Sequence, residues 1–311
     1  MNPDNIICIT PNVALDRTLV VPDFAVGHIS RIKRAIAVPG GKGLNVLRAI
    51  GILKGHPIAM GLLGGHTGRM IAEMVEKGGY PAEWTWYEGE TRTCTIIAHP
   101  DGNSTVINES GQIESSDWTH LVDDICRVAD NAPTICLCGS LPLGAPDSAP
   151  SDLIKRLNVM NKQVWVDSSG TTLQNAIQAK PYAIKVNGDE IGAALGMPVD
   201  SLDNAREAGK RLVDDGIVVV VITLGADGAM LVTKDLVAKA TPPNITPVDP
   251  IGSGDSVLAG LVTALTNGDD FVEAIRAGVA SGTVNALYAG GAQFPYEHYQ
   301  TILKETTVEV L

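Results

Sequence analysis

Aromatic side chains are scarce in this chain, 4% of 311 residues, and no apolar run approaches the length of a membrane-crossing helix. A membrane partner is therefore not expected. Basic residues are also outnumbered: 23 Lys and Arg stand against 35 Asp and Glu, a formal net charge of -12. Nothing forms the broad basic stripe that neutralises a nucleic-acid backbone, so no nucleic-acid partner is expected either. A small anionic ligand is still allowed, because it needs only a local pocket of amides, Lys and Arg. Cysteine is sparse and odd in number, at Cys8, Cys94, Cys126, Cys136 and Cys138, mostly within apolar patterns of strand or helix type. These thiols read as reduced core residues. Cys136-Leu137-Cys138 has no matching Cys/His pair, and alternate residues of a strand share a face, so packing is favoured over a metal site. The start, Met1 to Asn5, has no basic cluster, and the apolar run from Ile6 to Ile9 is too short for a signal sequence, so a cytoplasmic address is the expectation. The six histidines are scattered singly and none pairs with a nucleophile. Internal repeats, low-complexity tracts and long linkers are missing too, which predicts one domain over 1–311.

Glycine is what the chain has in quantity, and two clusters carry chemistry. In Asp249-Pro250-Ile251-Gly252-Ser253-Gly254-Asp255 a turn opens into an apolar helix. Gly252 and Gly254 can take backbone angles that aim successive N–H groups at one point, and the helix adds its positive end. Such a concavity suits a transferring phosphoryl group, with Asp255 placed to accept a hydroxyl proton. The same residues also fit an ordinary loop with Asp255 as a helix cap. The second cluster, Pro39-Gly40-Gly41-Lys42-Gly43-Leu44-Asn45, precedes a helix predicted over Leu44 to Leu53. Its spacing fits neither a Walker loop nor a dinucleotide fingerprint, which speaks against a hydride-transfer enzyme.

From the middle of the chain onward, short β-branched runs alternate with amphipathic stretches, the pattern of a mostly parallel sheet with helices on both faces. Strands are predicted at 133–138, 164–167, 182–186 and 218–222, with helices at Ser151 to Asn161 and Leu202 to Asp215. Ligands of such open sheets bind at the carboxyl ends of the strands. The first third alternates polar and apolar residues instead, which predicts a small antiparallel β lid from roughly 13–38 and 83–110. A thin sheet of this kind needs cover from the active-site edge or a second subunit, so a homodimer through the lid is expected.

Together the two clusters resemble the paired motifs of the ribokinase (PfkB) family of sugar kinases. The likeness extends to Thr10-Pro11-Asn12-Val13-Ala14-Leu15-Asp16, Gly61-Leu62-Leu63-Gly64-Gly65, Thr91-Arg92-Thr93-Cys94, Gly139-Ser140-Leu141-Pro142, Lys185-Val186-Asn187-Gly188-Asp189-Glu190 and Thr223-Leu224-Gly225-Ala226-Asp227-Gly228-Ala229. Within the family it is most similar to the hexose-phosphate branch of 1-phosphofructokinases and tagatose-6-phosphate kinases. The resemblance implies a ribokinase-like α/β fold and phosphorylation of the primary hydroxyl of a ketohexose monophosphate by ATP with Mg2+. It assigns Asp255 as base and Gly252, Ser253 and Gly254 as anion hole. The helix start is expected to hold the Asp255 carboxyl low and ionised. For the sugar it implies Asp16, Gly40, Gly41 and Asn45, with Ser140 beside them. Arg92 and Lys42 are the candidates for gripping the phosphate already on the substrate. For the nucleotide it implies Lys185, Asn187, Glu190, Thr223, Gly225, Gly228 and Asn285, with Glu190 acting on Mg2+ through water.

Two departures stand out. Pro250 lies where many relatives carry threonine, which puts a monovalent-cation site beside this loop in doubt. Val186 lies where proline is common, which bears on strand rigidity. Two other functions compete with the phosphorylated-sugar reading: a kinase of an unphosphorylated sugar or nucleoside, which needs no Arg92 clamp, and a non-catalytic sensor on the same fold.

Overall fold

In the computed structural model, which describes residues 4–21, 24–98 and 104–311, the two periodicities of the sequence become two sheets and a coat of helices. In chain order the strands are β1 (Asn5–Thr10), β2 (Ala14–Val20), β3 (Arg34–Gly40), β4 (His56–Gly64), β5 (Ala82–Tyr87), β6 (Arg92–Ala98), β7 (Ser104–Asn108), β8 (Thr134–Cys138), β9 (Gln163–Asp167), β10 (Ala183–Asn187), β11 (Val219–Thr223), β12 (Ala229–Val232), β13 (Val237–Thr241) and β14 (Thr307–Val310). The helices are α1 (Lys42–Ile52), α2 (Gly65–Lys77), α3 (Ser115–Ala129), α4 (Ala149–Val159), α5 (Gly170–Gln178), α6 (Gly188–Leu195), α7 (Leu202–Asp214), α8 (Ser253–Thr266), α9 (Phe271–Asn285) and α10 (Tyr296–Glu305).

The main sheet has ten strands in the order β14-β13-β12-β11-β10-β9-β8-β1-β4-β5. From β11 to β5 every pair is parallel, and β12, β13 and β14 add an antiparallel edge. The four strands foreseen in the middle of the chain are β8 to β11, and the two foreseen helices are α4 and α7. These strands are almost wholly apolar because helices bury both of their faces. In β1 the alternation is plain: Ile6 and Cys8 join one core with Leu44 and Leu258, while Ile7 and Ile9 join the other with Leu121 and Leu153. Cys136 and Cys138 fall in the same core as Cys8, and all five cysteines are free thiols, as the packing reading requires. No helix among the described residues is long and apolar enough to cross a membrane.

β1 has β4 on one side and β8 on the other, so the strand order reverses around it, the position at which open sheets form a crevice. Thr10, Cys138, Asp167, Asn187 and Thr223 end β1, β8, β9, β10 and β11 along one edge. That edge is roofed by the second sheet, ordered β3-β2-β6-β7. The hairpins β2/β3 and β6/β7 are antiparallel, and they join through one parallel pair, β2 with β6.

One part of the expected lid lies elsewhere. Residues 83–87 belong to β5, which pairs with β4 at the edge of the main sheet. The reason is physical: an edge strand covered on one side alternates polar and apolar just as a lid strand does, so periodicity alone does not separate them. Thr85 of β5 is buried and donates to Asp124 of α3 at 2.7 Å, which fixes that covered side. Positions 1–3, 22, 23 and 99–103, some of them within the expected lid segments, lie outside the described residues.

Trp165 is the largest wholly buried side chain and sits two residues before the end of β9. Trp165→Ala is expected to cost about 3–5 kcal/mol, through lost burial and the cavity left behind, as a fall in the urea midpoint with little change in slope.

Candidate active site at the carboxyl edge of the sheet

The first glycine cluster ends β3 and starts α1. A Cβ at Gly40 would lie 2.2 Å from the Asp16 carboxyl carbon, so only glycine lets β3 pass this close beneath that side chain. Asp16, on β2, is thereby held over the start of α1. Burial raises its pKa, and the charges of Arg48 and Arg92 pull it back down. Arg92, across the lid on β6, donates through Nε and Nη2 to the Asn12 carbonyl at 3.3 and 3.0 Å, with Nη1 3.5 Å from the Glu109 carbonyl. Ser140 is exposed nearby and accepts from Asn12 Nδ2 at 3.3 Å.

The second cluster starts α8. Gly252 adopts φ +79° as the residue before the helix, a conformation in which a side chain would be strained and would also meet Gly291 Cα at 2.7 Å. Asp249 braces this turn, accepting from the amides of Ile251 and Gly290, each at 3.0 Å. The Ser253 amide is used internally, donating to the Pro250 carbonyl at 3.1 Å. The amides of Gly252, Gly254 and Asp255 have no protein acceptor among the described residues and face outward at the positive end of α8.

Asp255 is buried, and its Oδ2 accepts from Asn45 Nδ2 at 2.7 Å. The structure therefore brings the two glycine clusters to one point. Beside them lies a charge cluster that the sequence patterns did not disclose. Asp167, wholly buried at the end of β9, accepts from Lys42 at 2.7 Å on one oxygen and from Lys185 on the other. Burial alone would raise the Asp167 pKa, but the two ammonium groups hold it below its ordinary value. Burial opposes charge on Lys42, yet Asp167, with Glu190 at 3.5 Å, keeps it raised. Lys185 packs its ammonium against Gly254.

Asp255 has the opposite fate to the one expected from a helix start. Burial, followed by the negative Asp167, pushes its pKa up to about 6, against the pull of Lys185, Lys42 and Asn45. Desolvation of so deeply buried a carboxyl outweighs half a helix-dipole charge.

A cavity of about 430 Å³ opens on the other side of the α8 start. Asn187, Thr223, Gly225, Gly228, Ser253 and Gly254 line it, together with Pro242, Ile245, Val257 and Val279 as an apolar wall. Asn187 and Glu190 also cap α6 reciprocally, Glu190 N to Asn187 Oδ1 at 2.8 Å and Asn187 N to Glu190 Oε2 at 2.9 Å. Two expected ligands are placed differently. Lys42 turns away from the lid toward Asp167 and Glu190, because the buried carboxylate is the stronger partner. Asn285 is wholly buried: it donates to the Ile251 carbonyl and Ser253 Oγ and accepts from the Ala292 amide, so its amide braces the α8 turn instead of facing the cavity.

Asp167, Arg48 and Asn12 were missed. Asp167 had a signal, an acid closing the apolar strand Val164-Trp165-Val166, and Arg48 had one too, a cation one turn after Asn45 on a largely buried helix. Chemically, the site presents a carboxylate with one oxygen unheld by Asn45, backbone amides without a protein acceptor at the α8 start, and two ammonium groups.

Residues 8–298 match the family described as pfkB family carbohydrate kinase. The 1-phosphofructokinase of Bacillus subtilis (strain 168) is 31% identical over 286 residues, covering 91% of this chain and 92% of that protein. The 1-phosphofructokinase of Haloferax volcanii is 31% identical over 306 residues, covering 98% of each. Among solved structures, phosphofructokinase-2 from Escherichia coli in complex with fructose-6-phosphate aligns with a TM-score of 0.90 at 25% identity, covering 96% of this chain and 98% of that one.

A buried carboxyl whose pKa is raised on folding penalises the fold when ionised. The penalty is absent below the unfolded value near 4 and grows as pH rises through about 6. Asp255→Asn is thus expected to be more stable than the wild type at pH 7.5, on the order of 2 kcal/mol, with the difference closing below pH 4 in urea melts at the two pH values.

Proposed function

The chain belongs to the pfkB family of carbohydrate kinases, a phosphotransferase with an alcohol acceptor, and we propose that its acceptor is the primary hydroxyl of a ketohexose monophosphate. Fructose 1-phosphate is the first candidate, in keeping with the names of the two curated relatives, with tagatose or fructose 6-phosphate next. ATP is the donor, and a bisphosphate and ADP are the products. The observation that carries the reading is the hydrogen bond from Asn45 to Asp255, which sets an acidic side chain between the lid and the 430 Å³ cavity.

In this reading the sugar lies under the lid, its hydroxyls on Asp16 and the Gly40-Gly41 backbone. Asp16 accepts two donors and so orients a polyol. The nucleoside fills the cavity against its apolar wall, and the transferred group meets the free amides of Gly252, Gly254 and Asp255. Asp255 accepts the hydroxyl proton on the oxygen that Asn45 leaves free. A carboxyl raised to about 6 is a stronger base than an ordinary one yet stays ionised at neutral pH. Proton loss comes late in a loose phosphoryl transfer, so this suffices. Lys185, packed on Gly254, adds positive charge where the phosphates converge. Among the described residues no group of three or more acidic, His or Cys side chains is arranged to hold a metal. Glu190, at the start of α6, would hold Mg2+ through water, where the ion would neutralise phosphate charge. Arg92 and Ser140 receive the phosphate already on the sugar, the guanidinium giving up its long contact to the Glu109 carbonyl.

With ATP and Mg2+ against a panel of sugars and sugar phosphates, ADP should form only with ketohexose monophosphates. Asp255→Asn should lower kcat by about 10²–10⁴-fold with substrate binding kept, whereas a sensor would be indifferent. Arg92→Ala should raise KM for the sugar phosphate on the order of 10-fold or more while leaving that for ATP unchanged. Turnover only with unphosphorylated sugars, or an Arg92→Ala variant with wild-type KM, would transfer the protein to the ribokinase-like reading.

The lid also carries exposed apolar side chains: Ile36, Val106 and Ile107 on its strands and Val26, Ile29 and Ile32 in the connecting segment. Ile36 lines up across Thr18 and Ile96 with Val106, so these two share one face of the lid while Ile107 lies on the other, and a second copy covering the Ile36–Val106 face accounts for that exposure. Light scattering should give twice the chain mass, and Ile36→Lys with Val106→Lys should halve it; a wild-type monomer would remove the dimer.

A further inference from the structure

An amide has a donor end and an acceptor end, so which of them meets Asp255 depends on what holds the other. The Asn45 Nδ2 end donates to Asp255, and the Oδ1 end accepts from Arg48 Nη2. A guanidinium only donates. Turning the Asn45 amide over would set donor against donor at Arg48 and oxygen against oxygen at Asp255. Arg48 is itself held, with Nη1 on the Pro39 carbonyl at 2.6 Å and Nη2 also on the Gly291 carbonyl at 3.1 Å. Its fork thus spans the strand that ends in Gly40 and the loop that packs against Gly252. Its buried Nε has no partner, so the group is placed for what its two outer nitrogens reach.

From this geometry we infer that Arg48 is a positioning residue for phosphoryl transfer: it locks the Asn45 amide in the one orientation that keeps a donor on Asp255 and leaves the other carboxylate oxygen for the sugar hydroxyl. The inference rests on Asp255 being the base, as proposed above. Lys42 faces Asp255 from α1, Asp167 from β9, Lys185 from β10 and Cys138 from β8, with the Arg48 charge further off. None of these groups is hydrogen-bonded to Arg48, so replacing Arg48 leaves the lysine–aspartate cluster in place.

The test is the pH profile of kcat at saturating ATP and sugar phosphate for Arg48→Met, Arg48→Lys, Asn45→Ala and each Arg48 variant combined with Asn45→Ala. Arg48→Met should lower kcat about tenfold at pH 7 and move the acid limb up by about one pH unit, with KM for ATP unchanged. Lysine keeps the charge but not the planar fork, so Arg48→Lys should shift the limb in the same direction. Asn45→Ala should move it as well, and the double variants no further than Asn45→Ala alone. Should Arg48→Met not fold, judged by its thermal melt, Arg48→Lys and its double carry the same comparison. An acid limb unmoved in the folded Arg48 variants, or shifts that add in the doubles, would overturn the inference. Full turnover by Asp255→Asn would instead overturn the base assignment beneath it.

Discussion

One hydrogen bond, from Asn45 to Asp255, joins two helix starts that lie 210 residues apart in the chain. Everything around the site converges on it. α1 and α8 each begin with a glycine turn, each lies over the same crevice, and their first turns meet where a buried carboxylate has just one amide to satisfy it. The bond closes a loop of contacts in which Arg48 holds Asn45, Asn285 and Asp249 hold the α8 turn, and Gly40 lets Asp16 rest above. Pairing buried polar groups across the two turns favours one placement of each.

Opposite charges are packed within the same small volume. Lys42 and Lys185 flank the buried Asp167, Asp255 lies beside them, and Glu190 meets Lys42 from the more open side. Asp167 is the deepest and keeps its charge because both lysines bond to it. Asp255, with a single neutral donor, bears the desolvation that Asp167 escapes, and its proton affinity rises accordingly. The cluster thereby separates two carboxylates by role: one anchors lysines, the other is free to take up a proton. Removing either lysine would leave an uncompensated charge where water cannot reach it.

The lid and the cavity take opposite faces of this point. Arg92 and Asp16 come from strands of the small sheet, while Thr223 ends β11 and Gly225 and Gly228 come from the turn after it. In the proposed reading, two ligands would approach from opposite sides and meet only at the α8 start, as in-line displacement requires. The antiparallel edge β12 to β14 brings the proline-bearing loop at 242–247 around to wall the cavity, so strands remote from the crevice still shape it.

Much of this was legible along the chain. Strand runs such as Val218 to Ile222, the helix stripe of α7 and the two glycine turns depend on residues within a few positions of one another, and there the pattern and the fold agree. β5 was misplaced because half-burial looks alike at a sheet edge and in a lid. The Asp255 carboxyl was expected low because a helix start is visible in a sequence while the dryness of a pocket is not. Lys42 and Asn285 looked free to meet ligands because their partners, Asp167 and the 251–253 turn, lie 125 and about 32 residues away.

The amino-acid sequence by itself determined which segments become strands and helices, where the backbone can tighten into glycine turns, and which family the motifs belong to, since these follow from local periodicity and turn chemistry. Only the tertiary structure decided which carboxylate anchors lysines and which takes up a proton, how the Asn45 amide is turned, and which lid strand belongs to which sheet. Those outcomes depend on desolvation and on partners brought together from distant positions, and neither quantity exists until the chain has closed around them.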